Sequence, residues 1–465
     1  MNSSPLPAST LTSKANADLF DQSALFDLAQ RLVEAAKRAG ADAADAVAVR
    51  GISQGVEVRE SRVEESERSE SDDVGLRVLV GRRQAVVSTN DVSSDNVARL
   101  AERAVAMARA APDDKYVGLA DPALLARDLP DLDLLDPDIP STAELERRAL
   151  EAESAALAVR GVTKSGGASA SAGIGGMVLI TSTGFHGAYL RSSQGISATA
   201  ISGEGTGMER DYDFTSAPHA ADLLSPEMVG RSAGERAVMR SNPRKVNTCK
   251  VPVVFDPRVA GSLVGHLVSA INGTSIARKT SFLKDKLGQQ LFARNIRVID
   301  DPLRRRGLRS QSFDAEGVAV KKLAIIDEGV LTSWLLDCAT ARELGLTTTG
   351  HAHRGVSSSP APGPYNLHLE PGVMTPAELM SDIAQGFYIT SLIGSGVNGV
   401  TGDYSRGASG FWIENGKIAY PVSEVTIAGH LFEIFKSMVP ANDLEFRYGI
   451  NAPTVRIEGL TIGGR

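Results

Sequence analysis

Forty-five glycines are spread through this 465-residue chain, while aromatic residues make up only 5% of it. Glycine supplies the backbone conformations that tight turns need, so this pairing points to short strands joined by turns and away from a helical bundle. A chain this long exceeds one ordinary core, and a domain size of ~100–200 residues divides it into two or three units.

Apolar periodicity near 3.6 predicts helices over 21–39, 94–111 and 226–240. A further helix, ending before Gly161, opens with the Ser141/Glu144 capping-box pattern. Between them the pattern alternates. Strands are expected at 44–49 and 55–59, followed by an acidic, Ser-rich run (60–73) read as a solvated strand edge and loop. Gly75–Val80 and Gln84–Ser88 form a hairpin, and four short strands lie between Gly161 and Glu204. Pro112 to Pro140 carries five prolines and reads as an irregular connection.

Ser241-Asn242-Pro243-Arg244-Lys245 marks the expected boundary between an N-terminal domain (21–243) and a C-terminal one (244–465), with residues 1–20 as a disordered tail. The second half starts with a strand at Lys250–Phe255. Asp256-Pro257 then places an N-cap and a first-turn proline ahead of a helix that stops at Asn272-Gly273. Strands follow at 319–327, 330–336, 366–370, 410–414 and 417–421, the last two joined by Asn415-Gly416, a strong hairpin signal. The fold class is α+β: helices with an antiparallel or mixed sheet first, then a strand-rich domain resembling a β-barrel or sandwich.

The formal net charge of −7 argues against nucleic acid as the main partner, because phosphate binding needs a basic field. Arg304, Arg305, Arg306 and Arg309 are a local exception, read as a solvated turn after Asp300-Asp301-Pro302 in preference to a phosphate site. Two distant cysteines, Cys249 and Cys338, exclude a disulfide scaffold and fit a reducing compartment. The Ser/Thr/Ala/Pro-rich start does not read as a signal peptide, and no run approaches the ~18 apolar residues of a membrane span. A cytoplasmic protein is expected.

No catalytic constellation stands out. None of the seven histidines precedes a glutamate, so the zinc helix that needs two imidazoles one turn apart beside a carboxylate base is absent. His266 lies inside the predicted helix, but one turn on stand Ala270 and Ile271, which cannot bind metal. His351 and His353 could chelate a metal from one face of an extended segment, although Gly350 and Gly355 point to a turn. Gly230-Arg231-Ser232-Ala233-Gly234 matches a nucleophile-elbow pattern but sits in a helical stretch, where small residues serve close packing. The runs Gly173–Gly176 and Gly203–Gly207 read as hairpin turns, since no helix follows either. Thr401-Gly402-Asp403-Tyr404-Ser405-Arg406-Gly407 offers a carboxylate, a guanidinium and three hydroxyls in what reads as a loop. Thr401, Asp403, Tyr404, Ser405 and Arg406 are therefore candidates for contacting a peptide or a partner, against an Asp–Arg pair that only pins its own loop.

That last stretch, continuing from Gly402 through Asn415-Gly416 to Gly429, closely resembles the PmbA (TldE) branch of the TldD/PmbA family. Phe313-Asp314-Ala315-Glu316-Gly317-Val318, Thr348-Thr349-Gly350-His351-Ala352 and Asp72-Asp73-Val74-Gly75-Leu76-Arg77-Val78 are similar to further family motifs, and the match runs from about residue 22 onward. The resemblance implies a cytoplasmic zinc peptidase, a TldD–TldE heterodimer that degrades unfolded peptides, processes a microcin precursor and removes an antitoxin. The family was first described as modulators of DNA gyrase.

In the TldD branch a His-Glu-x-x-x-His helix and a downstream cysteine hold the zinc. Here only His266 sits near the first ligand position, Leu267 takes the glutamate place, Ile271 falls at the second histidine, and residues 442–453 hold no cysteine. The expectation is a subunit without catalytic residues or cofactor of its own, paired with a zinc-bearing TldD-like chain, or a homodimer when isolated. Two alternatives stay open: an independent metallopeptidase using His266 with His351 or His353, and a binding protein such as a gyrase modulator.

Overall fold

In the computed structural model, which describes residues 21–91 and 93–464, strands run straight through most of the N-terminal glycines. The segments expected as two strands at 44–59 are one, β1 (Ala43–Arg59). The acidic run expected as a loop is part of β2 (Arg62–Val80). The turn between them consists of Glu60 and Ser61, both at positive φ (52° and 60°) without a glycine. Its stabilisation comes from elsewhere: the buried Glu153 carboxylate accepts both turn amides, each at 2.9 Å. No local pattern could reveal that.

The four short strands expected between Gly161 and Glu204 are likewise two long ones, β4 (Val162–Thr181) and β5 (His186–Ser202). Gly173–Gly176, expected as a turn, pairs with β1 on one side and β5 on the other. Two full ladders offset the entropic cost of glycine in a strand. Gly203–Gly207 does form the turn that leads into β6 (Glu209–Ala217). With β3 (Arg83–Thr89), these strands make an antiparallel sheet in the order β3-β2-β1-β4-β5-β6.

Two helix pairs cover this sheet over separate cores. Helices α1 (Ser23–Arg38) and α2 (Ser94–Ala110) bury Leu25, Leu28, Leu32, Leu100 and Val105 against Leu76, Val78 and Ile180. Helices α3 (Thr142–Leu157) and α4 (Pro226–Met239) bury Leu145 and an alanine set against Val56, Val58 and Ile196. Ser141 and Ser225 cap them by accepting the amides of Glu144 and Met228. A Cβ on Gly230 would land on the Ala152 carbonyl, so the serine-hydrolase-like pattern is a close helix contact. The tail expected over residues 1–20 lies outside the described residues.

In the second half, β7 (Cys249–Phe255), β14 (Gln385–Ile393), β15 (Asp403–Glu414), β16 (Lys417–His430) and β19 (Val455–Gly463) hydrogen-bond in the order β16-β15-β14-β7-β19. A further pairing of β16 with β19 closes them into a five-stranded barrel, with β17 (Val439–Pro440) extending from β19. Closure removes the open edges such a sheet would otherwise expose. Asn415 and Gly416, at φ 50° and 75°, turn β15 into β16. Helix α5 (Pro257–Ile271) packs Leu263, Val264 and Leu267 into the same core as Tyr404, Ala408 and Trp412. On its far side is a sheet of short strands: β8 (298–300), β9 (Leu323–Asp327), β10 (Val330–Leu331), β13 (367–369) and β18 (Ile450–Asn451). A separate two-stranded ribbon pairs β11 (Ala352–His353) with β12 (Ala361–Pro362). Asn272 ends α5 as expected, but its side chain also caps a new short helix, Gly273–Ala277.

The halves meet through buried charge. Asp45 on β1 accepts from Arg77 Nε at 2.8 Å and pairs with Arg354 at 2.5 Å, all three side chains being nearly inaccessible. Glu316 lies 3.9 Å from Arg77 and accepts the Cys338 amide at 2.8 Å. Asp314 accepts the amides of Glu316, Val318 and Ala352. At Gly75 any Cβ would strike the Val356 carbonyl, so glycine lets the loop after β11 seat directly on β2. Three of the four family-like motifs therefore build one junction. The arginine run expected as a solvated turn also reaches across: Arg305 and Arg306 pair with Asp133 and Arg306 pairs with Asp222, while Arg304 stacks on Phe446 within the second half.

Candidate functional site

The stretch around Thr401–Gly407 is a loop only up to Gly402; from Asp403 it is the opening of β15, paired with β16 from Asp403↔His430. Strand alternation therefore splits the five candidate residues. Asp403 and Ser405 face solvent, and Thr401 Oγ1 donates to Asp403 at 2.6 Å. Tyr404 is buried and Arg406 half-buried. An Asp403–Arg406 pair pinning the loop is not what forms. His430 Nε2 holds the Thr401 carbonyl at 2.9 Å, and the Ser405 amide donates to Gly396, so the segment before β15 folds back along it.

Tyr404 meets His266 edge-on, with ring centroids 5.7 Å apart. His266 is presented by α5, whose start is set by Asp256: its carboxylate accepts the Arg258 amide at 3.0 Å and the Tyr388 hydroxyl at 2.8 Å. Burial first, and the Arg406 guanidinium second, push the His266 imidazole down to about 4. Burial pushes the Tyr404 phenol up, against the opposing pull of Arg406. At neutral pH the cluster is a neutral imidazole, a protonated phenol and a guanidinium. Among the described residues no carboxylate lies within salt-bridge distance of Arg406.

His266 Nε2, Tyr404 Oη and Arg406 Nε are each buried without a hydrogen-bond partner. Buried polar atoms are satisfied in the great majority of cases, so three orphans on touching elements need an explanation. Together they can donate to a carbonyl or carboxylate and, at the imidazole, accept from an amide.

They do not fit zinc. A zinc site needs three or four N, S or O ligands, and α5 offers one imidazole flanked by Leu267 and, a turn on, Ala270 and Ile271. The neighbouring cation Arg406 opposes a second one. No group of three or more His, Cys, Asp or Glu residues that could hold a metal occurs among the described residues.

His351 and His353 are placed elsewhere, around Tyr365 at 5.4 and 4.6 Å between ring centroids. His351 is fully buried, its Nδ1 on the Thr349 carbonyl at 2.8 Å and its Nε2 3.4 Å from Asp300. The segment expected as a turn includes a strand residue at His353. Cys249 and Cys338 are both free. Sequence reasoning missed the Asp45–Arg77–Arg354 junction, because Arg354 lies 309 residues from Asp45 and no local spacing links the three. No helix is long and apolar enough to cross a membrane among the described residues.

Comparison with known proteins adds to this geometry. Family models described as PmbA/TldA metallopeptidase domain 1, central domain and C-terminal domain match residues 44–108, 135–241 and 248–464. The chain is 39% identical over 417 residues to Metalloprotease PmbA of Escherichia coli O157:H7, covering 89% of this chain and 90% of that one. It is 38% identical to a Metalloprotease PmbA homolog of Haemophilus influenzae, covering 93% and 94%. Its structure is similar to that of a Bacteroides thetaiotaomicron protein solved as a candidate modulator of DNA gyrase. There the TM-score is 0.88 at 26% identity, covering 95% of this chain and 99% of that one. TldE of Thermococcus kodakarensis shares the fold, with a TM-score of 0.84 at 19% identity, covering 94% and 100%.

Proposed function

The chain belongs to the PmbA/TldD family of metallopeptidases, and from that premise we propose that it is the zinc-free subunit of a two-chain peptidase. A TldD-like partner supplies the metal and the general base in the cytoplasm, and the complex acts on unfolded peptides, with microcin- or antitoxin-type substrates as the expected class. This chain shapes the chamber and binds backbone, and it self-associates when no partner is present. The observation that carries the reading is the ligand face of α5, where Leu267 and Ile271 stand beside a single imidazole and a guanidinium replaces any further ligand. The orphaned donors of His266, Tyr404 and Arg406 support a peptide-holding role. Ile393 and Val400, 68% and 58% exposed, flank the segment that folds back along β15 and suit a partner contact.

The test is to purify the chain alone and co-expressed with a TldD-like chain, then measure association, zinc content and casein hydrolysis. The expected result is no zinc and no hydrolysis alone, with both appearing in the complex. A second reading, favoured by the metalloprotease names of the relatives, is an enzyme active by itself. One tightly held zinc per isolated chain, with chelator-sensitive cleavage, would establish that reading and overturn the first.

A further inference from the structure

Where β5 faces the loop following the arginine run, a cleft of about 310 Å³ is lined by Arg191, Arg309, Gln311, His353, Gly363 and Pro364. That volume lies at the lower end of the ~300–1,000 Å³ typical of small-ligand sites. Its chemistry is one-sided. Arg191 donates only to the backbone carbonyls of Ser310 (3.2 Å) and Gly307 (3.5 Å). Among the described residues neither Arg191 nor Arg309 has a carboxylate within 4 Å, whereas Arg305 and Arg306 on the same run are paired.

His353 adds a ring whose Nε2 is buried with no hydrogen-bond partner, packed over Gly363 where a Cβ would come within 2.9 Å. Gln311 is held in place by donating to Tyr189 Oη at 3.2 Å. The buried acid Asp300 acts on His353 electrostatically; one of its oxygens accepts the Tyr365 amide at 2.8 Å beside His351, and the other has no hydrogen-bond partner. Burial draws Arg191 below the usual guanidinium range, offset only in part by the Tyr189 phenol. Two guanidiniums without an anion, Arg191 half-buried and Arg309 exposed, form a donor set that can bind a carboxylate through parallel N–H···O bonds, with the His353 ring beside them.

We propose that this cleft is an oxyanion site that takes the C-terminal carboxylate of a bound peptide. The oxyanion chemistry stands on the cleft alone; the choice of a peptide rests on the reading above. The ribbon that carries His353 is tied to the end of α5 by Asn272 Nδ2, which donates to the Pro362 carbonyl at 2.8 Å. A peptide end seated here is therefore coupled mechanically to the helix that presents His266.

The test uses the full chain without partner, titrated by calorimetry with acetyl-trialanine as its free acid, the same peptide as its C-terminal amide, and inorganic phosphate. The expected result is binding of the acid at least tenfold tighter than the amide, weakening with salt. Arg309→Gln, at an exposed position, should reduce acid binding about tenfold while leaving the melting temperature unchanged. Arg191→Gln should do the same or more, with its melting curve checked because it also holds two carbonyls. Equal binding of acid and amide, phosphate binding without preference for the acid peptide, or unchanged binding in Arg309→Gln would each overturn the proposal. None of these readouts involves zinc, hydrolysis or a partner, so failure here is distinct from failure of the two-chain reading.

Discussion

Two buried charged groupings in this molecule make opposite use of burial. At the junction of the halves, Asp45 has a guanidinium on each carboxylate oxygen, although Arg354 Nε there is left without a hydrogen-bond partner. In the barrel, His266, Tyr404 and Arg406 leave three polar atoms unsatisfied. Removing one member of a paired buried set strands the others, whereas removing a member that has no partner strands nothing. Ion pairing therefore ties the halves together, whereas the barrel cluster leaves polar atoms open to a further partner.

The sharpest way to break that contrast is Asp45→Ala. Burial alone would raise the Asp45 carboxyl, but Arg354 and Arg77 hold it below its usual range. Its loss leaves two guanidiniums buried without an anion, and denaturant unfolding should register about 3–5 kcal/mol of destabilisation. A loss below about 1 kcal/mol would mean that the junction relaxes and that pairing is not its role.

Acid titration should show the next largest effect. The folded protein holds His266 at about 4, against ~6.5 in an unfolded chain, and His353 is held at about 4 chiefly by burial. Between those values the unfolded chain binds more protons. Stability is then complete above about pH 6.5 and falls as pH drops toward 4. Each histidine should contribute on the order of 2–3 kcal/mol to that loss, and His266→Phe should flatten the profile by its share. Asp45 acts in a lower window: its contribution is present above ~3.8 and lost as pH falls further. Unfolding curves measured from pH 7 to about 3 on both proteins separate the two windows.

Smaller effects should follow at Arg406 and Tyr404. Arg406→Met removes a partly buried charge without an ion partner and should be neutral or stabilising by up to about 1 kcal/mol, while weakening peptide binding in the assembled complex. Tyr404→Phe should change stability by less than about 1 kcal/mol, because its hydroxyl gives up no hydrogen bond. If either variant costs as much as Asp45→Ala, the barrel cluster is structural and the contrast fails.

Legibility followed the range of the interactions. Helix boundaries set by serine or aspartate caps, the Asn415-Gly416 turn and the strand-rich second half were all readable, because each depends on neighbours a few residues away. Strand lengths were not: the glycines at 173, 175 and 176 look like turns, yet two flanking ladders carry the strand through them. The Glu60-Ser61 turn carries no turn residue and depends on Glu153, some 90 positions away. At the candidate site, His266, Tyr404 and Arg406 were each visible, but as a helix residue and a loop. Strand alternation separated Tyr404 and Arg406 from Asp403 and Ser405, and packing of α5 on the barrel set Tyr404 against His266.

By itself the sequence determined the α+β class, the family, and the presence of Leu267 and Ile271 where a zinc helix would need ligands, since all three rest on residue identity and local spacing. Only the tertiary structure decided which charges are paired and which are left open. Asp45 meets Arg354 across about 300 residues, and Arg191 meets Arg309 across a cleft. Partnership of that kind is a property of distance and burial, which the order of residues along a chain does not contain.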